Sequence, residues 1–415
     1  MRTCRHCAGA EFVPFLDLGE APPSNAYLAS GDLDRPEKRY PLVIRTCTGC
    51  WLTQTEDFAD REEFFSGDYA YFSSFSSTWL AHARAYVEAM TARFALGPQS
   101  RVVEIAANDG YLLQYVRSAG IPCYGVEPTA GTAAAARALG IDIVEDFFGL
   151  SLGRRLAEAG RGADLIAANN VLAHVPDIND FVAGFAALLK PDGVATFEFP
   201  HLLEMVRGNQ FDTAYHEHYS YLSLIAVERV FRANGLVVFD VETTPHHGGS
   251  LRVLACRADC GSHPETPAVA AQLSAERLAG MDTPAFYTGF QGQAERLRDE
   301  FRAFLARARA RRQTVAAYGA AAKGNTLLNF ADVSTESIAF VVDRNPAKQG
   351  RFLPGSHIPI HAEAALADQK PDWVVILPWN LETEIKSQLS YISDWGGRFV
   401  TAIPCLTLHP QASTR

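Results

Sequence analysis

The chain has 415 residues, of which 48% are hydrophobic and 20% are charged, and its formal net charge is −10. This length predicts about two to three domains, each with its own core. The acidic balance argues against a nucleic-acid-binding protein, because affinity for phosphate requires clustered Lys and Arg. The sequence lacks an apolar run of the roughly 20 residues needed to cross a bilayer, and its N-terminus lacks the apolar core of a signal peptide. We therefore expect a cytoplasmic protein without nucleic-acid or membrane partners.

Two C-x-x-C pairs near the N-terminus predict a metal site. Cys4 and Cys7 form the first pair, and Cys47 and Cys50 form the second. Two such pairs on facing turns place four thiolates around a tetrahedral Zn²⁺, which a reducing compartment favours over disulfides. Four protein ligands leave no position for a catalytic water molecule, so we expect a structural zinc ion.

Short apolar segments in the middle of the chain alternate with helical segments. They lie at residues 101–106, 123–127, 142–144, 164–168 and 194–199. Alternation at this spacing predicts a parallel, doubly wound α/β sheet. Ligands of such sheets bind at the carboxyl ends of the strands, near the point where the strand order reverses.

The predicted strand ends carry polar residues suited to a ligand that contains a ribose but no phosphate. Glu127 ends the second strand, about 20 residues after the first turn, where an acceptor for a ribose diol belongs. The first turn, residues 104–110, reads E-I-A-A-N-D-G rather than G-x-G-x-x-G, which argues against a pyrophosphate loop. These features predict S-adenosylmethionine, with Gly110 allowing its amino-acid end to approach the backbone. The predicted pocket residues are Glu104, Ala106, Asn108 and Gly110 in the first turn, Glu127 at the ribose, Asp146 and Phe147 at the adenine, and Asn169 and Asn170 at the methionine moiety.

Residues 212–221, D-T-A-Y-H-E-H-Y-S-Y, combine two histidines, two carboxylates and three tyrosines. They have no apolar period that would predict a core strand or an amphipathic helix. Imidazole titrates near neutral pH, and carboxylates and phenols can be tuned towards it. A proton-transfer site and a polar loop that caps other elements are both consistent with this composition.

The C-terminal part predicts a helical region followed by a second α/β unit. Within residues 259–312, apolar side chains such as Leu297, Phe301 and Phe304 recur at helical spacing. Further strands are predicted at residues 338–342, 373–377 and 398–402. The unit is Rossmann-like, but its glycines are wrongly spaced for NAD. Lys323 lies in its first turn, and a lysine beside backbone amides at a helix start suits a diphosphate.

Together these motifs resemble the S-adenosylmethionine-dependent deoxysugar C-methyltransferases of antibiotic biosynthesis. The resemblance rests on the cysteine pairs, the first turn, the motifs G-V-E-P, N-N-V-L-A-H-V-P-D, K-P-D-G and H-G-G-S-L-R-V, and residues 212–221. It covers nearly the whole chain. It implies an α/β protein with a small four-Cys zinc module, a class I (Rossmann-like) methyltransferase domain and a Rossmann-like domain that binds a nucleotide sugar. We place these parts at residues 1–66, 67–258 and 259–415.

The resemblance implies methyl transfer to the carbon beside the 4-keto group, C3 in our assignment, of a deoxysugar linked to thymidine diphosphate (dTDP). A base would remove the proton that the ketone acidifies, and the enolate would take the methyl group. By resemblance, His218 is the base, and Glu217 and Tyr215 orient it or bind the sugar. His174 would lie near the keto oxygen, although a pocket-lining role is also open. Tyr69 would lie over the substrate, in an aromatic segment that predicts either a lid or an apolar lip.

The resemblance also implies substrate-binding residues in the C-terminal half. Lys323 and Asn325 are candidates for the diphosphate. Arg252 is a candidate for bordering the sugar, although a turn at the sheet edge explains its motif nearly as well. His216 is expected to be structural. The alternatives that remain open are methyl transfer to C5, N, O or another substrate, and a NAD-dependent dehydrogenase or sugar-binding module. We expect a monomer or a homodimer.

Overall fold

The computed structural model describes residues 3–56, 58 and 72–410. In chain order its strands are β1 (Phe12–Ala21), β2 (Tyr40–Cys47), β3 (Thr53–Thr55), β4 (Val102–Ile105), β5 (Cys123–Val126), β6 (Asp142–Val144), β7 (Ala163–Asn169), β8 (Leu189–Pro200), β9 (Ser220–Tyr221), β10 (Leu236–Thr244), β11 (Ser250–Arg257), β12 (Val315–Tyr318), β13 (Val341–Val342), β14 (Ile360–His361), β15 (Trp373–Ile376), β16 (Arg398–Thr401) and β17 (Thr407–Leu408). Its α-helices are α1 (Ser77–Arg93), α2 (Leu113–Ser118), α3 (Ala130–Ala138), α4 (Leu150–Glu158), α5 (Ile178–Leu188), α6 (Leu202–Arg207), α7 (Leu224–Ala233), α8 (Pro267–Leu278), α9 (Pro284–Thr288), α10 (Phe290–Ala310), α11 (Ala322–Phe330), α12 (Ala365–Gln369) and α13 (Glu382–Gln388). No helix within these residues is both long enough and apolar enough to cross a membrane.

The N-terminal module forms an antiparallel sheet of order β1-β2-β3-β9. Its last strand comes from the middle of the chain, since Thr53 pairs with Tyr221 and Gln54 pairs with Ser220. Helices from the C-terminal half of the chain also pack against the module. Phe15 of β1, for example, stacks on Phe290 of α10 with ring centroids 4.8 Å apart.

The central sheet has the order β10-β11-β8-β7-β4-β5-β6. Strands β4 to β8 pair in parallel, whereas β10 and β11 are antiparallel to their neighbours. The predicted doubly wound sheet is therefore confirmed. The strand order reverses at β4, which has β5 on one side and β7 on the other, so the carboxyl ends of β4 and β7 flank the expected ligand crevice.

The C-terminal sheet has the order β14-β13-β12-β15-β16-β17, and its pairs are parallel except for β16 with β17. This is the Rossmann-like arrangement that the sequence predicts. The apolar stripe predicted within residues 259–312 forms the buried face of α10, including Leu297, Phe301 and Phe304. We propose the three-part division of the chain that the sequence predicts. Strand β9 belongs to the central part but pairs with β3 of the N-terminal module.

A buried carboxylate fixes the start of α7. Glu276 of α8 is fully buried, and its oxygens accept hydrogen bonds from the backbone amides of Leu224 (2.7 Å) and Ile225 (2.8 Å) and contact His201 Nε2 (2.8 Å). Removing this side chain leaves buried donors without their acceptor. We expect Glu276→Ala to lower the free energy of unfolding by about 3 kcal/mol, as measured by urea denaturation.

The matched control for Glu276 lies on the surface of α7. Glu228 pairs with Arg232 one helical turn away at 2.6 Å, and the Arg232 side chain is 72% exposed. Solvent screens this pair, so Glu228→Ala should change the free energy of unfolding by less than about 1 kcal/mol. Equal losses in the two variants would show that Glu276 does not anchor the helix.

Candidate active site

The four predicted cysteine ligands come together in the N-terminal module. Their sulfur atoms all lie within 4.8 Å of one another, with Cys4 Sγ 3.5 Å from Cys50 Sγ and Cys7 Sγ 3.6 Å from Cys47 Sγ. Such spacings suit a tetrahedral ion with Zn–S bonds of about 2.3 Å. Gln54 Nε2 also donates to Cys4 Sγ at 3.1 Å, which would help to hold a thiolate in place.

Every second residue from 106 to 110 in the first turn of the central sheet has a left-handed backbone conformation. Ala106, Asn108 and Gly110 have φ of +57°, +49° and +81°. A Cβ atom at Gly110 would lie 2.5 Å from Ile141 Cδ1 and 3.3 Å from Ala136 Cβ. The glycine is therefore needed for its backbone conformation and for packing against α3, and its role in making room for the ligand stays a prediction.

Polar side chains meet at the carboxyl ends of β4, β5 and β7. Glu127 accepts hydrogen bonds from the backbone amides of Asn108 and Thr129, both at 2.9 Å, so its carboxylate is held at the end of β5. Among the described residues, the buried Oδ1 atoms of Asn169 and Asn170 have no hydrogen-bond partner. Buried polar atoms without partners indicate a ligand or water, so this edge of the sheet can accept the ribose and amino-acid ends of S-adenosylmethionine.

Three other predicted pocket residues differ in their surroundings. Glu104 is fully buried on β4, and this burial raises the pKa of its carboxyl well above the usual value. Phe147 is half-buried beyond β6. Asp146 is exposed and accepts a hydrogen bond from Arg155 Nη2 at 2.8 Å, so contact with an adenine would require it to compete with this ion pair.

The end of the aromatic segment that the sequence predicts to be a lid or an apolar lip contacts the first turn. The backbone amide of Ser73 donates to Asn108 Oδ1 (2.9 Å), and that of Ser74 donates to Asp109 Oδ2 (3.0 Å). Asp109 Oδ1 is buried and without a hydrogen-bond partner in the part of the chain that the structure describes. Tyr69, which was predicted to lie over the substrate, falls outside the described residues.

Residues 212–221 are buried almost throughout. Asp212 is fully buried, and Glu217 and His218 are 1% and 8% exposed. The segment combines a 3-10 helix at Phe211–Thr213 with β9. Its burial argues against a polar loop on the surface, because nine of its ten residues are polar or aromatic and they lie where the three parts of the chain meet.

The hydrogen bonds of His218 determine its tautomer. Its Nδ1 lies 2.9 Å from the backbone oxygen of Thr213, which can only accept, so Nδ1 carries the proton. In the neutral ring Nε2 is then an acceptor, and Tyr215 Oη donates to it at 2.7 Å. Burial, followed by the proximity of the second imidazole, His174, lowers the pKa of His218 well below its usual value. His218 is therefore a neutral imidazole, and its Nε2 carries the lone pair that can accept a proton.

The predicted partners of His218 surround it. The ring of His174 lies 4.5 Å from that of His218 in an edge-on arrangement, and burial lowers the pKa of His174 to about 4. Glu217 Oε1 accepts from Asn25 Nδ2 of the N-terminal module at 3.0 Å, and burial raises the pKa of Glu217. His216 Nε2 contacts the backbone oxygen of Tyr40 at 3.1 Å, so this ring is held by the module.

The C-terminal domain contributes a cation to the same region. Lys323 Nζ lies 4.8 Å from the ring centroid of Trp379 and donates to Asn380 Oδ1 at 3.1 Å. Trp379 Nε1 in turn donates to Asp212 Oδ2 at 2.7 Å. Burial raises the pKa of Asp212 to about 7, although the charge of Lys323 opposes this shift. That charge also contributes to the lowered pKa of His218.

Asn325, the second diphosphate candidate, is buried on α11. Its Nδ2 lies 3.5 Å from the backbone oxygen of Ser24. Its Oδ1 has no hydrogen-bond partner within the described residues. The structure thus places Asn325 against the N-terminal module, and Lys323 beside the segment that holds His218.

Arg252 occupies a different position from the one predicted. Its Nη2 and Nε donate to Glu198 Oε2 at 2.7 and 3.1 Å, and Nη1 donates to Glu242 at 2.9 Å. His82 Nε2 contacts the other oxygen of Glu198 at 2.7 Å. The guanidinium is buried and already paired, which argues against direct contact between Arg252 and the sugar. His82, Glu198 and His246 could group around a metal ion, but Arg252 already supplies positive charge there.

In the C-terminal Rossmann-like sheet, groups of the protein itself occupy the position where a NAD-binding domain holds its dinucleotide. Asp343 follows β13, where a NAD-binding domain places its ribose acceptor. Its carboxylate accepts from the backbone amides of Ala320 and Asn345, both at 2.8 Å. Lys348 Nζ lies 3.8 Å from Asp343 and donates to the backbone oxygen of Ala320 at 2.8 Å. These contacts argue against the NAD alternative.

Comparisons with known proteins agree with this arrangement. A zinc binding domain matches residues 4–65, a methyltransferase domain matches residues 79–241, and a C-methyltransferase C-terminal domain matches residues 245–404. The C-methyltransferase NovU of Streptomyces niveus is 35% identical over 401 residues, which are 97% of this chain and 95% of NovU. The chain belongs to the C-methyltransferase family. It is an S-adenosylmethionine-dependent C-methyltransferase with an N-terminal zinc-binding domain.

Solved structures of other methyltransferases match up to half of this chain. The 1,6-didemethyltoxoflavin-N1-methyltransferase of Burkholderia thailandensis is 18% identical, with a TM-score of 0.36, and the match covers 50% of this chain and 96% of that one. The magnesium protoporphyrin IX methyltransferase of Synechocystis is 16% identical, with a TM-score of 0.35, and the match covers 43% of this chain and 83% of that one.

Proposed function

We propose that this C-methyltransferase methylates the carbon beside the 4-keto group of a dTDP-linked deoxysugar, at C3, through an enolate. The observation that carries the proposal is the neutral His218, whose tautomer leaves on Nε2 the lone pair that can accept a proton. It lies in a buried segment between the sheet that binds the methyl donor and the cation Lys323. A base beside a positive charge is the arrangement that enolate formation requires.

The methyl donor fits the carboxyl edge of the central sheet. Glu127 would hold the ribose diol, and Asn169 and Asn170 would hold the amino-acid end, because their buried oxygens lack partners among the described residues. Asp146 and Phe147 remain the proposed adenine contacts, and Glu104, Ala106, Asn108 and Gly110 shape the pocket floor. When bound, S-adenosylmethionine supplies an electrophilic methyl group.

The chain's own residues would carry out the proton transfer. The substrate carbon loses its proton to Nε2 of His218, which requires Tyr215 Oη to give up its hydrogen bond to that atom. The electrons of the broken C–H bond form the enolate, whose negative charge lies on the former keto oxygen. Neutral His174 can donate a hydrogen bond to that oxygen. Glu217, through its bond to Asn25, holds the segment in position, and Tyr69 is proposed to cover the sugar.

The dTDP group is proposed to enter from the C-terminal domain. Lys323 and Asn325 are the proposed diphosphate contacts, while Arg252 acts indirectly by holding Glu198. Methyl transfer to C5, or to a carbon of another substrate, is the alternative within the same chemistry, whereas the predicted alternatives of N- and O-methylation do not fit a C-methyltransferase. The proposed partner is therefore a small nucleotide sugar, and the enzyme would act as a monomer or homodimer.

A turnover screen tests the proposal. The purified enzyme is incubated with S-adenosylmethionine and a panel of dTDP-4-keto-deoxysugars, and mass spectrometry detects methylated product. Nuclear magnetic resonance then locates the new methyl group. We expect a C-linked methyl group on the carbon beside the ketone, and exchange of that carbon's proton with deuterated water. An O- or N-methyl product would contradict the proposal. A lack of proton exchange when S-adenosylhomocysteine replaces the methyl donor would contradict the enolate route, because fast methyl transfer can hide exchange during turnover.

A further inference from the structure

His247 has an unusual backbone and an unusual environment. It precedes Gly248 and Gly249 in the turn between β10 and β11. Its φ is +54°, a left-handed backbone conformation that residues other than glycine rarely adopt. Its Nε2 is buried, and no hydrogen-bond partner for it exists within the described residues. Strained residues persist where the surrounding structure forces them, often at functional sites.

The turn that carries His247 is held between the central and the C-terminal domains. The ring of His247 lies 4.9 Å from that of Trp79 on α1 in an edge-on arrangement. Trp79 in turn stacks on Tyr111, which directly follows the first turn at residues 104–110. On the other side, a Cβ atom at Gly248 would lie 2.5 Å from Trp379. Gln210 Nε2 donates to the backbone oxygen of Gly248 at 2.7 Å. The turn is therefore packed against residues of both domains.

We infer that His247 is a substrate-contacting residue, whose Nε2 forms a hydrogen bond with an oxygen substituent of the sugar ring. This inference rests on the proposed function. His247 lies between Trp79, near the proposed site of S-adenosylmethionine, and Trp379, whose ring contacts Lys323. Burial and then the charge of Lys323 lower the pKa of His247 to about 3, so the ring is neutral and can donate or accept. In the H-G-G-S-L-R motif, His247 is thus the residue that contacts the sugar, whereas Arg252 is buried and paired with Glu198.

Replacement of His247 by glycine distinguishes a role in substrate binding from a role in folding. Glycine adopts a positive φ without strain, so His247→Gly should retain the melting temperature and the affinity for S-adenosylhomocysteine, measured by calorimetry. Loss of one substrate hydrogen bond should lower kcat/KM for the dTDP-4-keto-sugar by about tenfold or more. His247→Asn, which also tolerates a left-handed backbone, keeps the turn less flexible and should show the same loss.

Arg312→Gly is the matched control, because Arg312 also has a positive φ (+57°) and is exposed after α10. It should retain wild-type kcat/KM. Wild-type kcat/KM in both His247 variants would overturn the inference, as would a loss of donor affinity as large as the loss of kcat/KM. A lowered melting temperature in both variants would instead assign His247 a structural role. If the wild-type enzyme itself fails to turn over the sugar, the proposed function fails, and this result is distinct from the others.

Discussion

His218→Asn should lower the rate of methyl transfer by about a thousandfold, because a positioned general base contributes roughly 10²–10⁴ to a rate. The asparagine amide can replace the hydrogen bond to the Thr213 oxygen but cannot accept a proton from carbon. Exchange of the substrate's α-proton with deuterated water should fall equally, because exchange requires the same base. The measurements are single-turnover kinetics and the loss of the α-proton resonance.

His216→Asn is the matched control, because this neighbouring imidazole is also buried but contacts the Tyr40 backbone. We expect it to affect stability more than proton exchange. Both variants should still bind S-adenosylhomocysteine. If His218→Asn retained wild-type exchange, another group would be the base, and Tyr215, which is bonded to Nε2, would be tested next.

Removal of zinc should abolish activity, although the ion takes no part in the chemistry. Structural zinc contributes binding free energy of order 10 kcal/mol to folding, so Cys47→Ala should unfold the N-terminal module. The segment that holds His218 would then lose its partners, since Thr55 Oγ1 donates to the His218 backbone oxygen at 3.1 Å and Asn25 holds Glu217. We expect at least a hundredfold loss of kcat, of the size seen when catalytic groups lose their geometry.

Cys405→Ala provides the comparison for zinc removal, because Cys405 is exposed and does not belong to the four-Cys cluster. It should retain zinc, measured by atomic absorption, and wild-type activity. Treatment with a strong chelator should reproduce the Cys47 variant, and added Zn²⁺ should restore the treated wild type. Full activity in a zinc-free preparation would show that the module does not support the site.

The elements that could be predicted from the sequence are those with local signals. The strands of the central sheet are short apolar runs, and the cysteine pairs are turns with fixed spacing. The boundaries were less accurate: β8 begins at Leu189, before the K-P-D-G motif, because Leu189 pairs with Ala163. The predicted strand at 338–342 is reduced to Val341–Val342.

Contacts between distant residues could not be predicted in the same way. Asp212 and Trp379 are separated by 167 positions, and β9 pairs with a strand more than 160 residues earlier. No periodic pattern encodes such pairs. The pairing of Arg252 with Glu198 was missed for the same reason. For His247, the signal was a histidine placed before two glycines, which marks a turn that requires unusual backbone angles.

Burial of residues 212–221 also limits how this enzyme can be engineered. Exchanging the C-terminal domain for that of a relative, in order to change the accepted sugar, would break the bonds from Trp379 to Asp212 and from Thr326 to Ala214. A productive chimera would therefore have to transfer the matching segment and its contacts in the zinc-binding domain together with the new domain. The three parts of the chain would then have to be exchanged as one unit.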